Sequence, residues 1–168
     1  GGFQSVVGTS YTSEDEDIVA VDEDYEELER ALQVRIDNIE GEYPNYDEYQ
    51  YHLDEIGHNP FTLASYLTAK LQVYKRSEVQ AELRALFNEQ YTLTVREEVQ
   101  VRYRTETRTD TWTDEHGNTH SDTYTVEVPY DYYILHITLK NKDISILAES
   151  TLTAQQHEMF GVYMDTQG

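Results

Sequence analysis

The chain has 168 residues, enough for one domain with a proper core or for one domain plus a short arm. Its 33 acidic residues against 12 basic ones give a formal net charge of −21; with no basic stripe to offset it, such a surface repels phosphate backbones and acidic membranes and argues against nucleic-acid binding. There is no Cys, so disulfides and thiolate chemistry are excluded.

No apolar run approaches the roughly 18 residues of a membrane span, and no signal peptide is visible. The opening Gly-Gly-Phe reads as a tag scar on a fragment, so any membrane anchor is expected outside it. Fifteen Tyr stand against 4 Phe and 1 Trp. Tyr suits half-exposed sheets and contact surfaces, because its ring packs while its hydroxyl stays wet.

Residues 1–20 combine Gly, Ser and an acidic run and read as a linker. From Val21 the pattern turns helical: Val21, Tyr25, Leu28, Leu32, Ile36 and Ile39 recur at three- and four-residue steps, and Gly41 and Pro44 end the run. Residues 49–53, in a Tyr-rich stretch that holds Tyr43, Tyr46, Tyr49 and Tyr51, suggest a short extended piece. Asn59 and Pro60 start a second helix as cap and first residue, with Phe61, Ala64, Leu67, Leu71 and Tyr74 as its buried stripe. Ser77 and Gln80 have capping-box spacing for a third helix, whose apolar face is Val79, Leu83, Leu86 and Phe87.

At Tyr91 the period drops to two, the signal of a strand. Leu93, Val95, Val99, Val101 and Tyr103 alternate with polar residues, and Tyr133, Leu135, Ile137 and Leu139 are in phase further on. Leu93, Val95, Val99, Leu135, Ile137 and Leu139, with Leu67, Leu71, Leu83 and Phe87 of the helices, are the expected core. Residues 144–150 read as a third strand and 153–165 as a last helix. The expected class is therefore α+β: helices packed on an antiparallel sheet dominated by one long protruding hairpin, then a C-terminal helix. The domain is expected over 21–168.

Asp114-Glu115-His116-Gly117-Asn118 fits a hairpin loop with Gly117 in the left-handed region. Pairing Asp114 with Asn118 makes opposed residue numbers sum to 232. Carried outward, this register sets Val99 against Tyr133, Val95 against Ile137 and Leu93 against Leu139, so the apolar positions share one face; a one-residue slip would turn one set outward. Nearer the tip, neither face can bury itself. One carries Thr105, Thr107, Thr109, Thr111 and Thr113 across from Glu127, Thr125, Thr123, Ser121 and Thr119. The other carries Trp112 and Tyr124 among charges. Residues from about 104 to 128 should project as a two-stranded arm, with Pro129 at a bulge or an unpaired edge position.

His116 at the loop apex and His120 on a strand do not converge on one closed shell, so the segment reads as a turn and not as a metal site. His58, beside Asp54 and Glu55, reads as a turn former next to the helix cap. The acidic run 13–24 lacks the glycine and the ligand pattern of a calcium loop. His136 and His157 read as structural. No nucleophile, zinc or phosphate-loop motif occurs, and no catalytic residue, metal or cofactor is expected.

Four segments, 11–29, 46–69, 89–141 and 152–168, resemble the middle region of large cell-wall hydrolases carried by conjugative transposons of Firmicutes. The most distinctive is "YRTETRTDTWTDEHGNTHSDTYTV", residues 103–126. The resemblance implies an extracytoplasmic, non-catalytic interaction or scaffold domain between an upstream membrane anchor and downstream peptidoglycan-degrading modules. Protein partners in a conjugation apparatus and a Gram-positive cell-wall location come with it, and a cystatin-like cone, also called nuclear-transport-factor-like, is the expected architecture. The candidate interaction surface is Thr105, Thr107, Thr109, Thr111, Trp112, Thr123, Tyr124, Tyr46, Tyr49 and Tyr51. The alternative reading is a peptidoglycan-binding module in which the aromatic residues stack on sugar rings.

Overall fold

The computed structural model describes residues 11–167. They form an α+β fold of six helices and a three-stranded sheet: α1 (Asp15–Asp37), α2 (Ile39–Glu42), β1 (Glu48–Leu53), α3 (Pro60–Leu71), α4 (Arg76–Gln90), β2 (Tyr91–Thr113), β3 (Thr119–Asn141), α5 (Ile144–Thr151) and α6 (Ala154–Gln167). The sheet order is β1-β3-β2. No helix among the described residues is long and apolar enough to cross a membrane.

The chain divides into two compact units. The second comprises Asn45–Tyr51 and Val95–His136, and the described remainder forms the first.

In the first unit, α1 buries Val21, Tyr25, Leu32 and Ile36 of the stripe that the sequence period marked, leaves Leu28 partly buried, and adds Ile18 from the expected linker. The helix starts at Asp15, within the expected linker. Asp15, Glu16 and Asp17 form its first turn, where acidic side chains meet the positive end of the helix dipole. Tyr11 and Ser13 are buried ahead of it: the Tyr11 hydroxyl lies 3.2 Å from Ser65 Oγ, and Ser13 Oγ accepts from the Tyr74 N–H at 2.9 Å. Residues 1–10 of that linker lie outside the described residues.

Asn59 caps α3 as expected, its side chain accepting from the Phe61 N–H at 2.8 Å. The capping box expected at Ser77 and Gln80 does not form. Lys75 is the cap of α4, Ser77 lies inside the first turn, and Gln80 bonds to Arg76 O and Asp24. A reciprocal box occurs instead at Thr153 and Gln156: the Thr153 N–H donates to Gln156 Oε1 at 3.0 Å, and the Gln156 N–H to Thr153 Oγ1 at 3.1 Å.

Residues 144–151 are helix, not strand. Ile144, Leu147 and Ala148 are buried at helical spacing, and Asp143 caps the helix by accepting from the Ser145 N–H. The third strand is β1. The Asp47 N–H donates to Tyr133 O and the Asp54 N–H to Leu139 O, partners that advance together, so β1 runs parallel to β3.

The hairpin keeps the register that sums to 232 along its length, with the Asp114 N–H on Asn118 O at its tip and the Lys142 N–H on Gln90 O at its base. Even-numbered residues thus form the hydrogen-bonded pairs. Pro129, an odd position, points its ring nitrogen away from β2 and lies before Tyr133, where the ladder with β1 begins.

Of the expected core, Leu67, Leu83, Leu135, Ile137 and Leu139 are buried, while Leu93, Val95 and Phe87 are partly buried. Val99 and Leu71 are corrections, 47% and 36% exposed. Val99 lies on a stretch of β2 where the apolar alternation continues but burial does not. Leu71 is the last residue of its helix. Leu67→Ala should therefore cost about 2–5 kcal/mol in chemical denaturation, and Leu71→Ala under about 1 kcal/mol.

Candidate functional site

Two groups of side chains stand out, one in each unit. In the first unit Asp22 and Glu29 lie on the buried stripe of α1, seven residues apart and so on one helix face. His58, in the segment leading to α3, stands between them with a side chain only 3% exposed. Its Nε2 is 2.6 Å from Asp22 Oδ1 and its Nδ1 is 2.7 Å from Glu29 Oε1. Both acceptors are carboxylates, so both ring nitrogens must carry protons and the ring is an imidazolium. Burial alone would push its pKa down, but the hydrogen bonds and charges of Asp22 and Glu29 outweigh that and raise it to about 9.

The cluster extends outward. The Tyr91 hydroxyl, at the start of β2, donates to Glu29 and accepts from the Gly57 N–H at 2.9 Å. Tyr25 sets its ring edge-on to His58, 4.8 Å between centroids, and donates to Gln90 Oε1. Gln90 in turn donates to Asn141 at the end of β3. Among the described residues no buried side-chain polar atom lacks a partner.

A general base needs a free nitrogen facing a substrate, and His58 has neither the nitrogen nor the access. Nor could it bind a metal while both nitrogens are held by carboxylates. Among the described residues no group of three or more His, Cys, Asp or Glu side chains is arranged to hold a metal ion. The arrangement is a clasp joining α1, the 54–58 segment and the bases of β2 and β3. The sequence reading placed His58 at the turn but missed its partners. The signal available was two acidic residues in phase with the apolar stripe of α1.

All ten expected surface residues fall in the second unit. The odd-numbered face carries the threonine ladder: Thr109 and Thr123 hydroxyls are 3.5 Å apart, Thr111 and Ser121 are 3.4 Å apart, and Thr105 donates to Glu127 at 2.6 Å. Tyr46 donates to Glu97 on this face and packs edge-on to Tyr49, while Tyr51 is exposed. The same face exposes Val99 (47%), Val101 (60%) and Tyr103 (63%), which the sequence reading had assigned to the apolar phase of the strand.

Trp112 and Tyr124 lie on the opposite, even-numbered face. Trp112 stacks on His120 at 4.4 Å and donates to Asp122, and Tyr124 approaches Asp110. Also on this face, Arg102 lies 3.4 Å above the Tyr132 ring, Tyr132 bonds Glu48, and His136 pairs with Glu98 at 2.6 Å. The His136 contact, followed by that of Gln100, holds the Glu98 carboxyl below its ordinary pKa.

At the tip, Asp114 organises the turn. It accepts from the His116 and Asn118 N–H groups and pairs with His120 Nε2 at 2.7 Å, and Gly117 takes φ +78°. His120, then the Asn118 N–H, lowers the Asp114 pKa. His116 and His120 thus serve one turn, with His120 bound to the residue that closes it.

Comparisons with family models, with curated proteins and with solved structures gave no match.

The clasp has a defined pH signature. Because the folded pKa of His58 is raised, its contribution is fully present below the unfolded value of about 6.5. It is lost as pH rises through about 9. Stability should fall on the order of 3 kcal/mol across that window in urea titrations. His58→Ala should remove the dependence and cost about 3–5 kcal/mol at neutral pH, since it leaves two buried carboxylates facing each other.

Proposed function

We propose that this chain is a non-catalytic interaction domain of a mobile-element cell-wall hydrolase, working outside the membrane to position that enzyme within the conjugation machinery. The observation that carries the reading is the exposed strip of Val99, Val101 and Tyr103, continued by the threonine ladder, on a hairpin face that buries little of itself. Exposed apolar positions in series, rimmed by polar groups, are what a protein contact surface offers. The likeness of residues 103–126 to the middle region of those hydrolases supplies the biological setting.

Catalysis then belongs to modules downstream, and membrane attachment to an anchor outside these residues. A cystatin-like arrangement of helices on the sheet is part of the same reading. A second reading, peptidoglycan binding, draws on Trp112 and Tyr124, 48% and 41% exposed on the other face. Sugar stacking needs such open rings.

The test is to replace residues 105–127 by Asn-Gly, joining Arg104 to Val128, a hydrogen-bonded pair in this register. Stability should change by less than about 1 kcal/mol, because the removed residues are almost all exposed. In the full-length protein the replacement should reduce conjugative transfer and leave lysis of isolated wall intact. Normal transfer would overturn the reading. Loss of peptidoglycan pull-down with normal complex assembly would favour the second one.

A further inference from the structure

We propose that the chain forms a two-fold dimer by antiparallel pairing of the outer edge of β2 with the same edge of a second copy, centred on Val101. This goes beyond the interaction reading above and does not depend on it.

In the order β1-β3-β2, β2 is an edge strand 23 residues long. Natural edges are blunted by Pro, bulges, short length or charged side chains. β2 contains neither Pro nor Gly, and the charges it does carry are of both signs, so they exclude some registers and favour others. Its even-numbered residues bond to β3, as the base and tip pairs show. The odd-numbered N–H and C=O groups, those of Glu97, Val99, Val101, Tyr103 and Thr105, therefore point to the open edge. Among the described residues no strand covers it.

The side chains select a register. A two-fold axis at Val101 makes paired numbers sum to 202, so Arg96 faces Glu106 of the second copy and Glu98 faces its Arg104, each contact occurring twice by symmetry. Gln100 meets Arg102, and no like charges meet. On the odd face Val101 meets Val101 and Val99 meets Tyr103, merging the exposed apolar strips of the two copies. Shifting the axis by one residue in either direction opposes Arg96 to Arg104, or Arg96 to Arg108 and Glu98 to Glu106. An axis at Thr107 also avoids like charges, but it pairs threonine with threonine and leaves the apolar strip unmatched. Opposed like charges destabilise a strand pair, whereas opposite charges and apolar pairs each add to it.

The test is sedimentation equilibrium at physiological salt and high micromolar concentration. The wild-type chain should approach about 39 kDa, twice its 19.6 kDa. Arg104→Glu should weaken dimerisation about tenfold or more, by setting Glu98 against a new carboxylate in both contacts. Adding Glu98→Arg should restore it. The independent swap of Arg96→Glu with Glu106→Arg should also dimerise where each single change does not. Val101→Lys, which puts two ammonium groups at the axis, should be monomeric with an unchanged circular dichroism spectrum. A wild-type chain that stays at 19.6 kDa would overturn the proposal. So would single variants that dimerise normally, or charge swaps that fail to rescue; failed rescue of Arg104→Glu by Glu98→Arg is also what an axis at Thr107 gives.

Discussion

The structure depends on the register of one hairpin. Pairing residues whose numbers sum to 232 decides which face of β2 and β3 each side chain joins, and therefore what can be buried. At the base it turns Tyr91, Leu93 and Leu139 into the helical core of the first unit. Further along, Val99, Val101 and Tyr103 keep the same parity but are exposed. The register also decides which backbone groups are spent on β3 and which face the open edge. The unpaired edge follows from that one choice of partners.

The first unit meets a different demand. Two carboxylates on a buried helix face would be costly if left alone. An imidazolium held on both nitrogens, with a tyrosine hydroxyl on the far carboxylate oxygen, satisfies them. Such a cluster contributes less to net stability than an apolar packing of the same volume could, but it is geometrically exacting. It fixes α1, the 54–58 segment and the strand bases to one arrangement. The hairpin is thereby anchored at the end where its ladder starts, while its distal half carries threonine pairs, surface charges and the exposed contacts of Trp112 and Tyr124.

Much of this was legible in the sequence where one local rule acted alone. The stripes of α1 and α3, the Asn59 cap, the switch to a two-residue period at Tyr91 and the turn at Gly117 each follow from spacing or turn chemistry. Residues 144–151 failed because a short apolar run fits both periods; the buried positions at 144, 147 and 148 and the Asp143 cap decide for helix. The pairing of β1 with β3 was not legible, since a parallel partner some 86 residues away leaves no local trace. The acidic start of α1 read as linker because charge in a first turn and charge in a solvated run look alike. Val99 read as core because alternation reports which face a residue joins, not whether anything covers that face. The ten residues of the candidate surface all lie in one unit but divide between two opposite faces of the hairpin, and the exposure of Val101 and Tyr103 escaped the sequence for the same reason as that of Val99.

A chain at −21 gains little from adding one more acidic surface to another, so any partner has to be selected by pattern and not by bulk attraction. The alternating charges of β2 supply such a pattern, and the threonine and aromatic faces of the hairpin are left open to other molecules. All of this rests on which amides of β2 are bonded to β3. Residue-resolved amide hydrogen exchange in dilute solution measures it directly. The account predicts slow exchange at Glu98, Gln100, Arg102, Arg104 and Glu106 and fast exchange at Val99, Val101, Tyr103 and Thr105. Slow exchange at the odd positions with fast exchange at the even ones, or no alternation at all, would contradict it.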